Sequence, residues 1–492
     1  MLKFPSNEIQ VWIWRVLVLL LPVTSLPILV RLIGSDTVAA PSGVLLLFSV
    51  LLWLIPYVLK RSTFPSQSIP LLVFAFVALL SSALSIFYII PPYKDVNPLT
   101  NQISALLTLA IGLSFFLVTV NWLSNPQKLS DTFRWVNLGG AIMLAWCIFQ
   151  AIFWFANNRY PFWMGQVQDI FSVGPLYRQR VTGFALEPSW LAHQLNMLYL
   201  PFWLAASYQR FSVYKFRIVK LTIENLLLVC GLVMMFLTFS RVGLVAFVLM
   251  IGYFLLRMSV RLIQWGQGKL LSRFKTASPQ RNRHRMITIL LTAVLILIYL
   301  TGVFLGAYVL SRFDPRMKDL FTFKIEKQNT LLKFAERLTF AARIVYWQAG
   351  WDVYNDYPWF GVGLGNSGFF FPEKITSFGW KLIEVRQLIY HESSLPNPKS
   401  LWVRVLAETG TIGFACFIAW LVVLWNTSRL LEHHPFPSTK VAAYMGKFVM
   451  IGLLLEGFSI DSFALPYLWI SLGILVAPCN YESNDLDNGI NN

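Results

Sequence analysis

The sequence predicts an all-α polytopic membrane protein of about twelve transmembrane helices, with one large extracytoplasmic loop that itself contains helices. Two observations predict this fold class. The 492-residue chain has 56% hydrophobic and only 13% charged residues, a composition typical of proteins that lie in a bilayer. Apolar runs of about 18 to 22 residues also recur along the chain, the length that a helix needs to cross the hydrocarbon layer.

The predicted spans follow these apolar runs, and the twelve crossings put both termini on the same side of the membrane. The turn at Ser240-Arg241 separates the seventh span from the eighth, and Glu456 and Asp461 interrupt the last pair. The spans cover residues 10–31, 42–59, 69–91, 102–123, 135–156, 189–208, 222–239, 242–257, 286–311, 406–427, 441–459 and 464–478.

The basic residues predict the orientation of the chain. Residues 257–285 are rich in arginine and lysine and contain no acidic residue, and the basic residues at 60–61 and 210–220 fall on the same predicted face. The positive-inside rule makes this face cytoplasmic, so we expect a multi-pass protein of the plasma (inner) membrane with both termini in the cytoplasm. The net charge of +17 is then explained by topology and contact with membrane lipid, and nucleic acid is not an expected partner.

These spans divide the chain into four predicted regions. Residues 1–312 form a transmembrane bundle of about nine helices, and residues 313–401 form the large extracytoplasmic loop. Residues 402–479 supply about three C-terminal transmembrane helices. Residues 480–492 are polar and are expected to be a disordered cytoplasmic tail.

The large loop contains an ordered-looking motif. Apolar residues at spacings of three and four predict an amphipathic helix over about residues 331–356. Arg343, Trp347 and Trp351 are each four apart, so they lie on one face of this helix and can stack. Pro358 ends the helix, and the glycines that follow permit a turn with close backbone approach. Those glycines are Gly361, Gly363 and Gly365.

Several polar residues lie at the outer entrance to the sixth span. Arg178 and Arg180 precede Glu187, and Pro188 is a favourable helix start. Glu187 either belongs to the helix cap or acts as a general base beside two arginines. His193 lies about one turn inside the span, where a lone histidine is more often a packed hydrogen-bonding residue than a catalyst.

Charged residues also lie at or within the predicted membrane. Arg241 either reaches lipid headgroups or points into a polar cavity, where its planar guanidinium group suits a diphosphate. Burying Glu408, Glu456 or Asp461 is costly, so these acids mark either function or an internal partner such as an arginine. For Glu408 we favour the second alternative, a structural role with an internal partner.

The remaining motifs predict neither a metal nor a cofactor. The pair His391-Glu392 in the large loop is typical of a surface, and no histidine and carboxylate cluster has metal-ligand spacing. The run from Gly361 to Gly365 is not a dinucleotide fingerprint, because no strand-helix-strand unit surrounds it.

At this point the motifs match a known family. The chain resembles the O-antigen ligase and O-antigen polymerase superfamily over about residues 180–475, and the Ser240-Arg241 turn between two spans fits the same pattern. The motifs that carry the resemblance are Arg343-x3-Trp347, Pro358-x-Phe-Gly361-x-Gly363-x-Gly365-Asn366, and Leu401-Trp402-x3-Leu-Ala-Glu408-Thr-Gly410-x2-Gly413.

The resemblance implies an integral-membrane, inverting glycosyltransferase that polymerises or ligates glycan units. Its donor would be a glycan on a polyprenyl diphosphate, its acceptor a second glycan, and it would need neither metal nor nucleotide sugar. Outer-face arginines hold the diphosphate in such enzymes, and Arg180, Arg241 and Arg343 match them. A chain-length regulator and a flippase are candidate partners. The predicted substrate-binding set is completed by Arg178, Trp347, Lys399 and Arg404.

The chain departs from the ligases at one position. Ligases carry a His-Asn pair in the loop shortly before the glutamate that corresponds to Glu408, whereas this chain has Lys399-Ser400. Either His391 or Glu187 would then supply the catalytic base. This substitution favours a polymerase of repeat units, or a related exopolysaccharide enzyme, over a ligase.

Two other function classes compete with this interpretation. A transporter of a lipid-linked glycan or a small anion would explain the membrane-buried His193, Glu456 and Asp461. The large outer loop argues against it, because transporters hold their substrate near the bilayer midplane. The third class is a membrane scaffold whose loop binds a partner protein.

Overall fold

The structure, a computed structural model, describes residues 7–36, 38–59, 64–215, 221–273, 281–313, 340–392 and 394–481. In these ranges the regular elements are helices, apart from an isolated bridge between Tyr93 and Val96. The predicted all-α class is therefore observed across the described residues. Most of the predicted C-terminal tail, residues 482–492, lies outside them.

The first half of the described chain contains eight helices, which we number in chain order. The eighth helix, α8, is continuous and has three parts: Pro188–Gln194, a wider π-helical turn at Leu195–Tyr199, and Leu200–Gln209. The first seven are α1 (Asn7–Leu19), α2 (Pro27–Ile33), α3 (Pro41–Leu59), α4 (Ser66–Phe87), α5 (Pro98–Trp122), α6 (Pro126–Asn157) and α7 (Phe162–Phe171).

The second half of the described chain adds seven longer helices and several short turns. The helices are α9 (Ile223–Leu237), α10 (Arg241–Arg273), α11 (Arg281–Phe313), α12 (Ala341–Asp356), α13 (Leu401–Leu431), α14 (Pro437–Glu456) and α15 (Pro466–Val476). The short turns between α12 and α13 are Ser367–Phe370, Phe371–Lys374, Gly379–Lys381, Ile383–Arg386 and Gln387–His391.

Length and apolar composition qualify seven of the described helices as membrane spans, so the polytopic class holds while the count of twelve stays a prediction. The seven are Pro41–Leu59, Ser66–Phe87, Pro98–Trp122, Pro126–Asn157, Arg241–Ser259, Leu401–Leu431 and Pro437–Glu456. Shorter apolar helices lie at Ile223–Leu237, Thr292–Tyr308 and Pro466–Asn480.

The predicted first span, residues 10–31, differs from the structure. The chain forms two helices here, α1 and α2, with a non-helical break over residues 20–26. Pro22 lies in the break and Pro27 begins α2. A proline inside a helix removes a hydrogen-bond donor and crowds the preceding turn, so the apolar run does not continue as a single helix.

The chain divides into two compact units. One contains residues 1–244 and 342–492, and the other contains residues 245–341. Within the second unit, the Tyr299 hydroxyl donates to the Val248 carbonyl oxygen at 2.5 Å, and the ring lies against Gly252. The residues discussed below as a candidate site all belong to the first unit.

Helix α14 is the most enclosed of the candidate spans in the first unit. Within its most apolar window 83% of the residues are buried, against 17% for α3, because α14 packs against α8, α13 and α15. A helix that is surrounded by other helices positions its end residues firmly. The last residue of α14 is Glu456, which becomes important below.

The large predicted loop, residues 313–401, is only partly described. The predicted helix at 331–356 is observed as α12, and residues 331–339 lie outside the described residues. It ends at Asp356, two residues before Pro358, as the sequence predicts. The residues after it are packed rather than exposed, since Val362, Leu364 and Phe369 are all buried.

Candidate functional site

Arg180 and Arg241 come together at one turn. The turn, residues 238–241, joins α9 to α10, and we call it the Arg241 turn. Arg180 Nε donates to the Thr238 carbonyl oxygen at 2.9 Å, and Val181 N donates to Leu237 O at 3.0 Å. Arg241 is the first residue of α10, and the backbone N–H groups of a first helical turn add positive potential. The turn therefore gathers two arginines and a helix N-terminus, an arrangement suited to an anion.

Glu187 directly precedes α8, but its side chain does not cap this helix. The residue is at the N-cap position with extended backbone (φ −140°, ψ 157°), and its exposed carboxylate accepts a hydrogen bond from Ser189 Oγ at 3.0 Å. Burial and the charge of Glu187 raise the pKa of Tyr177, while Arg180 lowers it, so both charges act on this phenol. The charges of Glu187 and Arg180 thus both act on Tyr177, and the carboxylate of Glu187 is exposed. Arg178 is exposed as well.

Arg343 is anchored to a different part of the chain. Its Nη1 donates to the carbonyl oxygen of Ser459 at 3.1 Å and to the Ser459 hydroxyl at 3.2 Å. One turn along α12, the ring of Trp347 lies 5.2 Å from that of Phe458. We call residues 457–461 the Arg343 segment. Trp351, which the sequence aligned on the same face, is 49% exposed and contacts the ring of Tyr354.

Arg404 holds the other end of the same segment. Its Nη1 donates to the carbonyl oxygen of Asp461 at 2.7 Å, and its Nε donates to Glu408 Oε2 at 2.9 Å. The other carboxylate oxygen of Glu408 accepts from Ser367 Oγ at 2.9 Å. Arg404 and Glu408 are four residues apart on α13, so they meet on one face of that helix. The Arg404 contacts described are internal to the protein.

The glycines after Pro358 form a strap, residues 358–365, that crosses a break in α13. The predicted close approach is confirmed: Gly361 has φ 66°, and a Cβ there would lie 2.5 Å from the backbone of Glu408. Gly363 N donates to Glu408 O at 3.0 Å, and Thr411 N donates to Pro358 O at 2.8 Å. Between these bonds α13 loses helical geometry at Gly410 (φ 65°, ψ −168°).

Side chains from α4 and α5 satisfy the rest of this irregular backbone. Ser81 Oγ donates to Glu408 O at 2.7 Å and also contacts Phe360 O. Ser82 Oγ accepts from Leu364 N at 3.1 Å, and Asn101 donates to Gly365 O. Buried backbone groups that lack helical partners need other hydrogen bonds, and these side chains supply them to the strap and to the break in α13.

A buried polar network lies between the two arginine anchors. Asn196 Nδ2 donates to Glu456 Oε1 at 2.6 Å and to the carbonyl oxygen of Gly243 at 2.8 Å. His193 Nδ1 lies 3.3 Å from Glu456 Oε2. The exposed fractions are 0% for Asn196, 4% for His193 and 2% for Glu456. These contacts agree with the prediction that His193 is a packed, hydrogen-bonding residue.

His391 and Lys399 lie in the turns between α12 and α13. His391 is exposed at the end of the turn Gln387–His391. This turn is held by two hydrogen bonds: the Tyr93 hydroxyl donates to Ile389 O at 3.4 Å, and Lys94 donates to Glu392 O. Burial and then the charge of Glu392 raise the pKa of Tyr93. Lys399 has φ 52° and its backbone N–H donates to Asn397 Oδ1 at 3.2 Å.

Across the described ranges, no group of three or more histidine, cysteine or acidic side chains has the geometry to hold a metal ion.

Sequence reasoning missed Thr238, Ser459 and Asn196. Thr238 accepts through its backbone carbonyl oxygen, which every residue has, so the sequence gives no signal for it. Ser459 accepts through its carbonyl oxygen and its hydroxyl, and a serine hydroxyl is too common in a sequence to be a signal. Asn196 does have a signal in the sequence: it is an amide inside an apolar span, where burial is costly unless the amide is hydrogen-bonded.

The comparison with known families agrees with this geometry. Residues 226–418 match the family model described as O-antigen ligase. The matched region includes the Arg241 turn, Arg343, the strap and Glu408. None of the curated proteins compared with the chain matches it. The family match bears out the resemblance found in the sequence: over residues 226–418 the chain is similar to the O-antigen ligase family.

Proposed function

We propose that this membrane glycan enzyme transfers sugar from a polyprenyl diphosphate to a glycan acceptor, on the outer face of the plasma membrane. Polymerisation of repeat units is favoured over ligation, because Lys399-Ser400 replaces the His-Asn pair of ligases. Both termini are cytoplasmic in this proposal, and a flippase and a chain-length regulator are its candidate partners. The observation that carries it is the meeting of Arg180 with the turn from which Arg241 begins α10.

The arginines fit the demands of this reaction. When the acceptor oxygen attacks the anomeric carbon, the bond to the lipid diphosphate breaks and negative charge builds on the departing oxygen. Guanidinium groups donate paired, charge-assisted hydrogen bonds to phosphate oxygens, so Arg180, Arg241 and Arg343 would stabilise the transition state. Attack from the face opposite the leaving group inverts the anomeric configuration.

The acceptor hydroxyl must lose its proton to a base during this step. Glu187 is the better of the two predicted bases, because its carboxylate is exposed and its charge acts on Tyr177 together with that of Arg180. His391 is exposed in a turn that is held to Tyr93 and Lys94. The Glu187→Gln variant should bind donor normally and lose turnover, and unchanged turnover would transfer the role to His391.

The arginine site is tested in cells that lack the chromosomal copy. Arg241 and Arg343 are each replaced by alanine and by lysine, and polymer length and lipid-linked intermediates are measured at matched protein levels. The rate of sugar transfer should fall by about 10²- to 10³-fold even with lysine. The lysine ammonium group is a point charge and does not reproduce the paired hydrogen bonds of a guanidinium group. Arg429→Lys is the matched control, since Arg429 lies over Trp425 at the far end of α13.

The outcomes separate the function classes. Accumulated single repeats on the lipid carrier support polymerisation, whereas long chains left on the carrier indicate ligation. Normal polymer in all four arginine variants would refute the proposed site. Solute uptake by the purified protein in liposomes, without added glycan, would favour a transporter.

A further inference from the structure

The buried network of Asn196, His193 and Glu456 is not explained by sugar transfer alone. Burying a carboxylate costs several kcal/mol unless nearby groups compensate, and Glu408 meets this condition with an arginine. Glu456 instead contacts an imidazole nitrogen and an amide. A costly arrangement of this kind is retained where it fixes a geometry that apolar packing would not specify.

The network touches the Arg241 side through the main chain. Asn196 lies in the π-helical turn Leu195–Tyr199, a wider turn that shifts the direction of its side chains. Its amide bonds to Gly243 O, two residues after Arg241. A Cβ on Gly243 would lie 2.7 Å from the Ala192 side chain, so α8 and the start of α10 are in close contact. Asn196 thus fixes the start of α10 against α8.

The same network touches the Arg343 side. Glu456 is the last residue of α14, and its carbonyl oxygen accepts from Ser459 N at 2.8 Å. Ser459 is the residue that accepts both hydrogen bonds from Arg343. The position of Glu456 therefore sets the position of the serine to which Arg343 is anchored.

A direct catalytic role fits the surroundings of Glu456 less well. The carboxylate and His193 line a cavity of about 20 Å³, and the other walls are mainly apolar, including Leu401, Phe463 and Trp469. This volume has room for about one water molecule, so a sugar ring does not fit in the cavity.

We propose that Asn196 and Glu456 are positioning residues: they hold the Arg241 turn and the Arg343 segment at the spacing that a diphosphate requires. The inference rests on the proposed function for the identity of the ligand. Hydrogen-bonding oxygens and amides are what this role needs, and the negative charge of Glu456 is not required. Misplacing a binding group by about 1 Å can cost about 10²-fold in rate, so loss of the network should be visible in kinetics.

The test uses membranes that contain the full-length protein. Lipid-linked repeat units extracted from cells that lack the protein serve as donor, and KM for donor is separated from kcat. In Glu456→Leu and in Asn196→Leu, KM should rise by about 10-fold or more, while Glu456→Gln stays within about 3-fold of the unmodified protein. Rescue by glutamine is the readout that a charge-dependent role would not give.

Glu224→Leu is the matched control. Glu224 is another buried glutamate in the same unit, and like Glu456 it accepts a hydrogen bond from an asparagine, Asn137 Nδ2 at 3.1 Å. Neither residue touches the Arg241 turn or the Arg343 segment in the contacts described. The control therefore reports the general cost of removing a buried carboxylate. Its KM should stay near that of the unmodified protein.

Each outcome decides between the alternatives. If Glu456→Gln is as impaired as Glu456→Leu, the charge is required and the positioning role is wrong. If Glu224→Leu raises KM equally, the effect is a general loss of packing and the proposal is again overturned. Binding of a polyprenyl diphosphate without glycan is measured in parallel. Binding that weakens only in the Glu456→Leu and Asn196→Leu variants supports positioning even if no sugar is transferred, and equal binding in all variants refutes it.

Discussion

Glu408 and Glu456 are both buried to 2% exposure, yet they meet opposite surroundings. Glu408 is paired with Arg404 at 2.9 Å on the same helix, so its charge is neutralised locally. Glu456 meets His193 and Asn196 from a distant helix. The first pair fastens one helix and its strap. The second network links the start of α10 to the segment that holds Arg343.

The comparison shows that a buried acid can stabilise in two ways. An ion pair makes removal of one partner expensive, because the other charge is left without compensation. A network of amide, imidazole and carboxylate depends mainly on hydrogen-bond geometry. We therefore expect stability to respond most to changes at Glu408, and donor affinity to respond most at Glu456.

The largest expected effect on stability is that of Glu408→Leu. Arg404 would remain as a buried cation without its partner, at a cost of about 3–5 kcal/mol. The thermal midpoint of the detergent-purified protein and the yield of folded protein should both fall. An unchanged Tm would mean that other groups stabilise the charge of Arg404. The ion pair with Arg404 would then not explain the difference between Glu408 and Glu456.

The double variant Arg404→Leu/Glu408→Leu sharpens this result. Removing both charges together should recover much of the lost stability, because no uncompensated ion remains. A double variant as unstable as Glu408→Leu would show that the bonds to Ser367 and Asp461, rather than charge, make this region sensitive.

Gly410→Ala should have a smaller but clear effect. The residue has φ 65° and ψ −168°, a conformation essentially restricted to glycine, and strain there costs about 1–3 kcal/mol. An added Cβ would also lie 2.3 Å from the backbone of Trp359, so the strap must shift. The decrease should be measured by thermal unfolding, together with a shift in protease sensitivity near the strap.

Gly43→Ala is the control for that variant. Gly43 lies in a helix with nothing within 4 Å of an added Cβ, so alanine should be neutral or stabilise by up to about 1 kcal/mol. Equal destabilisation of both variants would argue that the break at Gly410 is not a constrained position.

Glutamine at the two acids should have unequal effects, and that of Glu456→Gln is expected to be small. Glu408→Gln weakens a charge-assisted hydrogen bond and should cost about 1.5–3 kcal/mol. Glu456→Gln keeps an oxygen for Asn196 and should cost less than about 1 kcal/mol. Chemical denaturation of the two purified variants, side by side, measures the difference. The reverse order would show that Glu456 acts through its charge.

Much of the fold could be predicted from the sequence, since it follows from local patterns. Apolar runs marked α3 to α6 as membrane spans, and the short polar break at Ser240-Arg241 marked the join between α9 and α10. The predicted span at residues 10–31 was wrong as a single helix, because the hydropathy of the run outweighed Pro22 in the prediction. The candidate residues Arg180, Arg241, Arg343 and Glu408 were also found in the sequence, but without their partners.

The sequence by itself determined the helices, the arginine-rich character of the site and the places where only glycine is tolerated, because spacing, charge and the absence of a Cβ are local properties. Only the tertiary structure decided which groups meet. Arg180 bonds to a carbonyl oxygen 58 residues away, and Asn196 bonds to Glu456 across 260 residues. Such contacts depend on how helices pack against one another, and periodicity in one segment carries no information about the partner in another.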